Sequence, residues 1–336
     1  MSTEPILSLR GLTVRYPVRQ GLTRREITAL HPTDLDIHRG ETLAIVGESG
    51  SGKTTLGRAM LRLVEPSGGQ ILHNGTDLTA LGTRQMRALR PRFQMVFQDP
   101  YSSLNPSHRI GTMLMDVLAH TGVPKPDREA RATALLADVG LDKDAMHRFP
   151  SAFSGGQRQR IAIARVLASD PNLIVADEPI SALDVSIQAQ VVNLLMDLKR
   201  KRGLTLVFIS HDLGMVSAIA DRTAVMYFGE IVEIGEAAAL ATSPAHPYSA
   251  MLLASQPKPD VAASRATIRA AASIPAADLP SQLDPPTGCP FRSRCPRALD
   301  RCAQEAAGLT PTTQGGLTSC FNPFTEDETP KGALRA

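Results

Sequence analysis

Gly47-Glu48-Ser49-Gly50-Ser51-Gly52-Lys53-Thr54-Thr55 decides how the rest of the chain is read. It has the form G-x-x-x-x-G-K-[ST], a glycine loop that cradles phosphates. Thr42 to Val46 before it is a short apolar run enriched in β-branched side chains, and Leu56 to Leu63 after it has helical spacing. Strand, glycine loop and helix are the context the motif requires. Gly47, Gly50 and Gly52 let backbone N–H groups turn toward an anion, and the helix adds the positive end of its dipole. A triphosphate is the natural guest. Lys53 is placed to reach its β/γ-phosphates and the Thr54 hydroxyl to take a position on Mg²⁺, with Ser49, Ser51 and Thr55 completing the candidate phosphate shell.

With 336 residues the chain is long enough for about two domains and a well-buried core. Its 43% hydrophobic and 21% charged residues are the composition of a soluble globular protein. No apolar run approaches the ~20 residues needed to cross a bilayer. Met1-Ser-Thr-Glu-Pro5 lacks the basic and apolar segments of an export signal. The expectation is a cytoplasmic chain without a transmembrane segment, whose membrane role comes through partners. A net charge of +3, from 36 basic and 33 acidic residues, argues against a nucleic-acid partner. Arg84, Arg87, Arg90 and Arg92 read as a solvated helix face.

Alternation over 6–16 and 33–37 predicts half-buried strands, separated by a polar, basic loop from Pro17 to Arg25. Gln70 to His73 followed by Asn74-Gly75 is a hairpin signal. Together these predict a small antiparallel sheet. Tyr16, at the end of the first strand, offers an aromatic face to an adenine ring. Phe93 to Gln98 predicts a buried strand halted by Asp99-Pro100. A helical segment is expected over 99–165, with Asp127 as an N-cap, Leu135, Leu136 and Val139 on one face, and Gly140 as a C-cap. Phe153-Ser154-Gly155-Gly156-Gln157 then leads into a helix over 158–169, a second helix N-terminus suited to an anion. One nucleotide does not need two such sites in a monomer, so this one is expected to face another molecule.

Leu173 to Asp177 predicts a buried strand ending in two acids, Asp177 and Glu178. Beside a phosphate loop the first of these is suited to Mg²⁺ and the second to orienting or deprotonating a water. Ser181 to Asp184 reads as a turn, with Asp184 or Ser186 capping a long helix whose apolar face is Ile187, Val191, Leu194, Leu195 and Leu198. Leu204 to Ile209 predicts another strand, with His211 at its carboxyl end, the edge where open α/β sheets collect ligands. Strands over 223–227 and 230–235, across a glycine turn, close the core.

These pieces in this order resemble the nucleotide-binding subunit of an ATP-binding cassette (ABC) transporter, over about residues 6–236. The resemblance implies an α/β fold: a P-loop NTPase (RecA-like) core, a small antiparallel β subdomain and an α-helical signature subdomain. It implies that Tyr16 stacks on adenine, that Gly47 to Thr54 is Walker A, and that Gln98 is the glutamine-loop residue and a Mg²⁺ ligand. Ser154-Gly155-Gly156-Gln157 becomes the signature, Asp177 and Glu178 the Walker B acid and catalytic base, Ser181 to Asp184 the D-loop and His211 the switch histidine. Two cassettes of this family pack head to tail, so that each ATP lies between Walker A of one and the signature of the other. The implied partners are a second ATPase subunit, of the same or a paralogous chain, and two transmembrane permease subunits at the cytoplasmic face of the membrane. An extracytoplasmic solute-binding protein acts indirectly. The sequence departs from common family usage at Phe153 and Ile180, neither of which is a phosphate-contacting type.

Residues 237–336 form a C-terminal extension with a linker-like stretch from Pro257 to Pro280, in which Val261 to Ile274 is a candidate strand. All four cysteines lie here: Cys289, Cys295, Cys302 and Cys320, at intervals of five, six and seventeen residues. In a reducing compartment this argues for a metal rather than disulfides. Four thiolates suit Zn²⁺ or an iron–sulfur cluster, and the missing C-x₂-C pairs tilt toward the latter. Gly288-Cys289-Pro-Phe291 through Arg294-Cys295, with Asp99 to Pro106, resembles the dipeptide/oligopeptide (and nickel) importer ATPases. That implies peptide import, or import of nickel or another small solute, and a [4Fe–4S] cluster.

Overall fold

The structure, a computed structural model, describes residues 4–20, 23–99, 103–255, 280–325 and 328. In chain order the elements are β1 (Pro5–Gln20), β2 (Thr23–His38), β3 (Thr42–Val46), α1 (Lys53–Met60), β4 (Gly68–His73), β5 (Thr76–Asp77), α2 (Thr83–Leu89) and β6 (Phe93–Val96). There follow α3 (Ile110–His120), α4 (Arg128–Asp138), α5 (Gly155–Leu167), β7 (Leu173–Asp177), α6 (Val185–Arg202), β8 (Thr205–Ser210) and α7 (Leu213–Ser217). The last are β9 (Arg222–Tyr227), β10 (Glu230–Glu236), α8 (Ala237–Thr242), α9 (Pro247–Ala254), β11 (Thr310–Pro311) and β12 (Leu317–Thr318). They fall into two compact units, one around residues 80–209 and the other formed by 7–37, 41–79 and the chain from 210 onward.

The first unit is built on the parallel strands β6, β7 and β8, with Val96 opposite Ala176 and Asp177 opposite Ile209. Every residue of β7 is buried. A parallel strand covered on both faces reads as a continuous apolar run, and this one does. The crossover from β6 to β7 carries the helices: α3, α4 and α5 pack on one another, and α5 also packs on β6 and α6. β6 ends at Val96, two residues before the predicted stop, because its ladder with β7 ends there and Phe97 turns out 36% exposed.

In the second unit β3, fully buried, runs parallel to β9, and β9 continues antiparallel to β10 and on to the short β12 and β11. A second sheet has the order β2-β1-β4-β5. The hairpin expected at Asn74-Gly75 is present: φ is 46° and 78° at these residues, and His73 pairs with Thr76. Two positive φ values are what a tight two-residue hairpin turn demands.

The predicted loop over 17–25 is instead strand as far as Gln20 and again from Thr23, so Tyr16 lies within β1, half-buried, rather than at its end. Exposed Pro17 and Arg19 flank half-buried Val18, so the two-residue alternation persists through this polar stretch. The register with β4 stops at Thr13 opposite Gly68. Pro17 lies beyond the last residue paired with β4, so it removes no N–H from that ladder. Asp127 ends a short 3₁₀ turn and makes no side-chain capping bond, whereas Gly140 follows α4 at φ 72°. The candidate strand over 261–274 and most of the linker lie outside the described residues.

Candidate functional site

The phosphate loop lies in the second unit, against neighbouring strands of that unit. A Cβ on Gly47 would stand 2.2 Å from the Met226 carbonyl oxygen, and one on Gly52 2.8 Å from that of Ala29. Both positions require glycine because the backbone of neighbouring strands already occupies the space. Gly229 N–H donates to Ser51 O at 2.9 Å, tying the β9–β10 turn to the loop. α1 begins at Lys53, earlier than its apolar spacing suggests. Lys53 is 4% exposed, and its Nζ donates to Gly47 O at 2.8 Å and Glu48 O at 2.9 Å, so the ammonium sits curled within the loop. Thr54 and Thr55 are half-buried in the first turn, while Ser49 and Gly50 face solvent.

The acids of the first unit stand at the end of β7. Asp177 is fully buried. Glu178, the next residue, has φ 44°, a left-handed backbone that a non-glycine residue adopts at a cost of about 1–3 kcal/mol. Its N–H donates to Ile209 O at 3.1 Å, extending the pairing with β8 and holding that conformation in place. Gln98 Nε2 donates to Glu178 Oε2 at 2.9 Å. Thus Gln98 and Glu178, eighty residues apart in sequence, meet at the end of β7.

Ser154 is the N-cap of α5: its Oγ accepts from Gln157 N–H, and Gln157 Oε1 accepts from Ser154 N–H at 3.1 Å. The helix therefore starts at Gly155 rather than Arg158. Each capping residue satisfies an orphan N–H of the other. The glycines carry a further requirement that the sequence did not reveal. A Cβ on Gly156 would lie 2.5 Å from Ile187 Cγ2, and one on Gly155 3.4 Å from Leu183 Cδ2. They let α5 approach the start of α6 closely. Asp184 is the N-cap of α6 through its carbonyl, which accepts from Ile187 and Gln188 N–H, and its side chain makes no capping bond. In the second unit His211 is exposed, between Ser210, whose Oγ accepts from Asp212 N–H, and Asp212, which caps α7.

The chain has no disulfide among its cysteines. Cys302 is buried and the other three are half-buried. Burial pushes Cys289 and Cys295 up from the ordinary thiol value and Cys320 to about 11, and in each the neighbouring cysteines add to the rise. Cys289 N–H donates to Cys302 O at 2.8 Å, which ties two of the cysteine-bearing turns together. As placed, no group of three or more His, Cys, Asp or Glu among the described residues could hold a metal ion. Sulfurs around one zinc would stand about 3.8 Å apart, given a Zn–S bond of about 2.3 Å.

Residues 30–181 match the family profile described as ABC transporter, and residues 232–302 match the oligopeptide/dipeptide transporter C-terminal region. The chain is 42% identical over 334 residues to the dipeptide transport ATP-binding protein DppF of Escherichia coli K12, covering 98% of this chain and 97% of that one. It belongs to the ABC transporter family, as an ATP-binding subunit. A protein of Brucella ovis, named provisionally as a peptide import ATP-binding protein, is 48% identical to this cassette over 96% of the chain and 99% of its own length. Among solved structures, cbiO1 of Clostridium perfringens, part of the ABC transporter complex cbiONQ, superposes with TM-score 0.62 at 27% identity, covering 69% of this chain and 89% of that one. The cassette MJ0796, in a dimeric post-hydrolysis state bound to ADP and Pi, gives 0.60 at 28% identity, covering 69% of this chain and 98% of its own. The fold is that of a P-loop NTPase, and the cassette is an ATPase with ATP as its substrate.

Sequence reasoning passed over three residues that the structure ties to the phosphate loop: Glu48, Tyr248 and Arg294. Glu48 N–H donates to Tyr248 OH at 2.8 Å, and both Glu48 carboxylate oxygens accept from Arg294, at 2.8 and 2.9 Å. Glu48 is the single acid in the loop and Arg294 an arginine among cysteines. That pair of charges was the available signal, but nothing in the sequence joins residues 246 positions apart.

Proposed function

We propose that this ATPase energises import of di- and oligopeptides through two transmembrane permease subunits, with an extracytoplasmic solute-binding protein supplying the cargo. The observation that carries the reading is end-to-end similarity to peptide and dipeptide transport ATP-binding proteins, extending through the C-terminal region. No helix among the described residues is long and apolar enough to cross a membrane. The similarity to dipeptide transport ATP-binding proteins supports a peripheral subunit, which this reading puts on the cytoplasmic face.

In this reading Lys53 and the loop N–H groups take the phosphates, and Tyr16 stacks on adenine. Thr54, Asp177 and Gln98 are the Mg²⁺ ligands, and the ion would screen the charge that develops on the phosphates. Glu178 accepts a proton from the attacking water. Gln98 supports this role by holding one carboxylate oxygen of Glu178 in place. His211 is the group that responds to the γ-phosphate. Two cassettes sandwich ATP, one supplying Gly47 to Thr55 and the other Ser154 to Gln157. Exposed Ser154 and Val185, 82% exposed just after Asp184, support that face as one built for a second cassette.

The four thiols are assigned to an iron–sulfur cluster, with zinc as the alternative. All four cysteines of the chain lie within residues 289–320, which supports a shared ligand. Uptake of a radiolabelled dipeptide, and separately of nickel, by cells carrying wild-type chain or Lys53→Ala tests the cargo. The expected result is loss of dipeptide uptake alone. Loss of nickel uptake with dipeptide uptake intact would overturn the peptide assignment.

A further inference from the structure

The C-terminal extension reaches the phosphate loop at Glu48, through an ion pair from Arg294 and a hydrogen bond to Tyr248. Arg294 lies between Cys289 and Cys295, in a chain of short turns: Arg292 N–H donates to Cys289 O, Arg294 N–H to Phe291 O and Cys295 N–H to Arg292 O. These turns seat Phe291, 1% exposed, against Tyr227 and Tyr248, with ring centroids 5.3 and 5.4 Å away. The aromatic seat fixes where the Arg294 guanidinium projects, 5.8 Å from the Phe291 ring centroid. From there it meets Glu48 in a two-pronged ion pair, the side chains being 14% and 29% exposed. Tyr248, on α9, accepts the Glu48 N–H from the same side.

The charge at this position poses a problem for a loop that must take a triphosphate. Glu48 is the loop's only acid, and its carbonyl also accepts from Lys53 Nζ. An uncompensated carboxylate here would repel the polyanion and compete for Lys53. A partly buried charge is screened by salt far less than an exposed one. We propose that Arg294 is a positioning residue for nucleotide binding: it neutralises Glu48 and turns its carboxylate away, so that the phosphate loop accepts ATP only when the C-terminal extension is docked. Tyr248 fixes the Glu48 main chain in the same arrangement. The thiol-bearing segment thereby acts on the nucleotide site without touching nucleotide.

The inference rests on this loop being the ATP site, and the test separates the two. Equilibrium binding of ATP and AMP to the full-length chain is measured for wild type, Arg294→Ala, Arg294→Gln and the double variant Arg294→Ala/Glu48→Gln, at low and at high salt. Removing Arg294 should weaken ATP binding about tenfold or more, from unit charges at loop distances in an effective dielectric near 20. AMP should lose much less, and the ATP loss should shrink as salt rises. The double variant should recover to within about threefold of wild type, because the unpaired charge has gone with its partner. Arg294→Gln, which keeps a polar, unbranched stem while removing the charge, carries the test if the alanine variant proves insoluble. Unchanged ATP affinity in both single variants would overturn the proposal. So would a loss equal for ATP and AMP and unrelieved in the double variant, which would mark Arg294 as a packing residue. Failure of the wild type to bind ATP would instead refute the assignment of the loop.

Discussion

His246 offers a pH test of how the C-terminal extension docks. It is 2% exposed at the start of α9, where Nδ1 accepts from Tyr248 N–H at 3.0 Å. Burial pushes its pKa down to about 3. The native protein therefore holds a neutral imidazole, as the accepted hydrogen bond requires, while the unfolded chain takes up a proton near pH 6.5. Stability from this group is fully present above pH 6.5 and is lost as pH falls toward 3, because over that window only the unfolded state binds the proton. Going from pH 7.5 to 5.0 crosses about 1.5 units of the window, and at 1.36 kcal/mol per unit the loss is about 2 kcal/mol. Glu233 acts in the opposite sense. Burial raises its pKa, so the native carboxyl gains stability as pH falls. It is common to both proteins when wild type is compared with His246→Asn, which keeps an acceptor for Tyr248 N–H. The chain has no tryptophan and four tyrosines, and Tyr227 and Tyr248 lie in this cluster, so tyrosine fluorescence follows its unfolding in urea. Wild type should lose about 2 kcal/mol more than the variant between the two pH values. Parallel losses would refute the burial argument.

Gly47→Ala drives a Cβ to 2.2 Å from a backbone carbonyl that cannot rotate away. Overpacking of about 1–3 kcal/mol should weaken ATP binding roughly 10- to 100-fold, checked by titration calorimetry. Ser154→Arg should leave ATP binding by isolated monomers within about twofold while abolishing ATP-dependent pairing in size-exclusion chromatography, and monomers that lose ATP would remove Ser154 from the partner-facing role. Protein purified without oxygen should carry about four iron and four sulfide per chain if the thiols bind a [4Fe–4S] cluster. One zinc would replace that assignment, and an empty chain would contradict both.

Much of the fold was legible because its defining strands are buried on both faces. Thr42 to Val46 and Leu173 to Asp177 read as strands without a homologue or a partner in view, since apolar runs of that length have few other uses. Phe153 to Gln157 could be placed at a helix N-terminus from its glycines and hydroxyl, whereas the capping box of Ser154 and Gln157, which starts the helix at Gly155, went unread. The polar stretch around Pro17 could not be placed, since strand pairing rather than side-chain pattern holds it. Asp127 stands at the predicted N-cap of α4, but its backbone there is already helical, at φ −91° and ψ −12°, and its side chain makes no capping bond. The pairing of Gln98 with Glu178 was predicted only as membership of one site. Arg294 with Glu48 was not predicted at all, since contact between distant loops depends on how the aromatic seat of Phe291 is packed, and packing leaves no periodic trace.

The central claim is that Glu178 is the base of an ATP hydrolysis site, and steady-state ATPase turnover of Glu178→Gln, measured beside its ATP affinity, tests it most directly. The substitution keeps the size of the side chain while removing the proton acceptor. ATP should bind as tightly as to wild type, and turnover should fall on the order of 10²- to 10⁴-fold. Turnover within a few-fold of wild type, at unchanged ATP affinity, would contradict the claim.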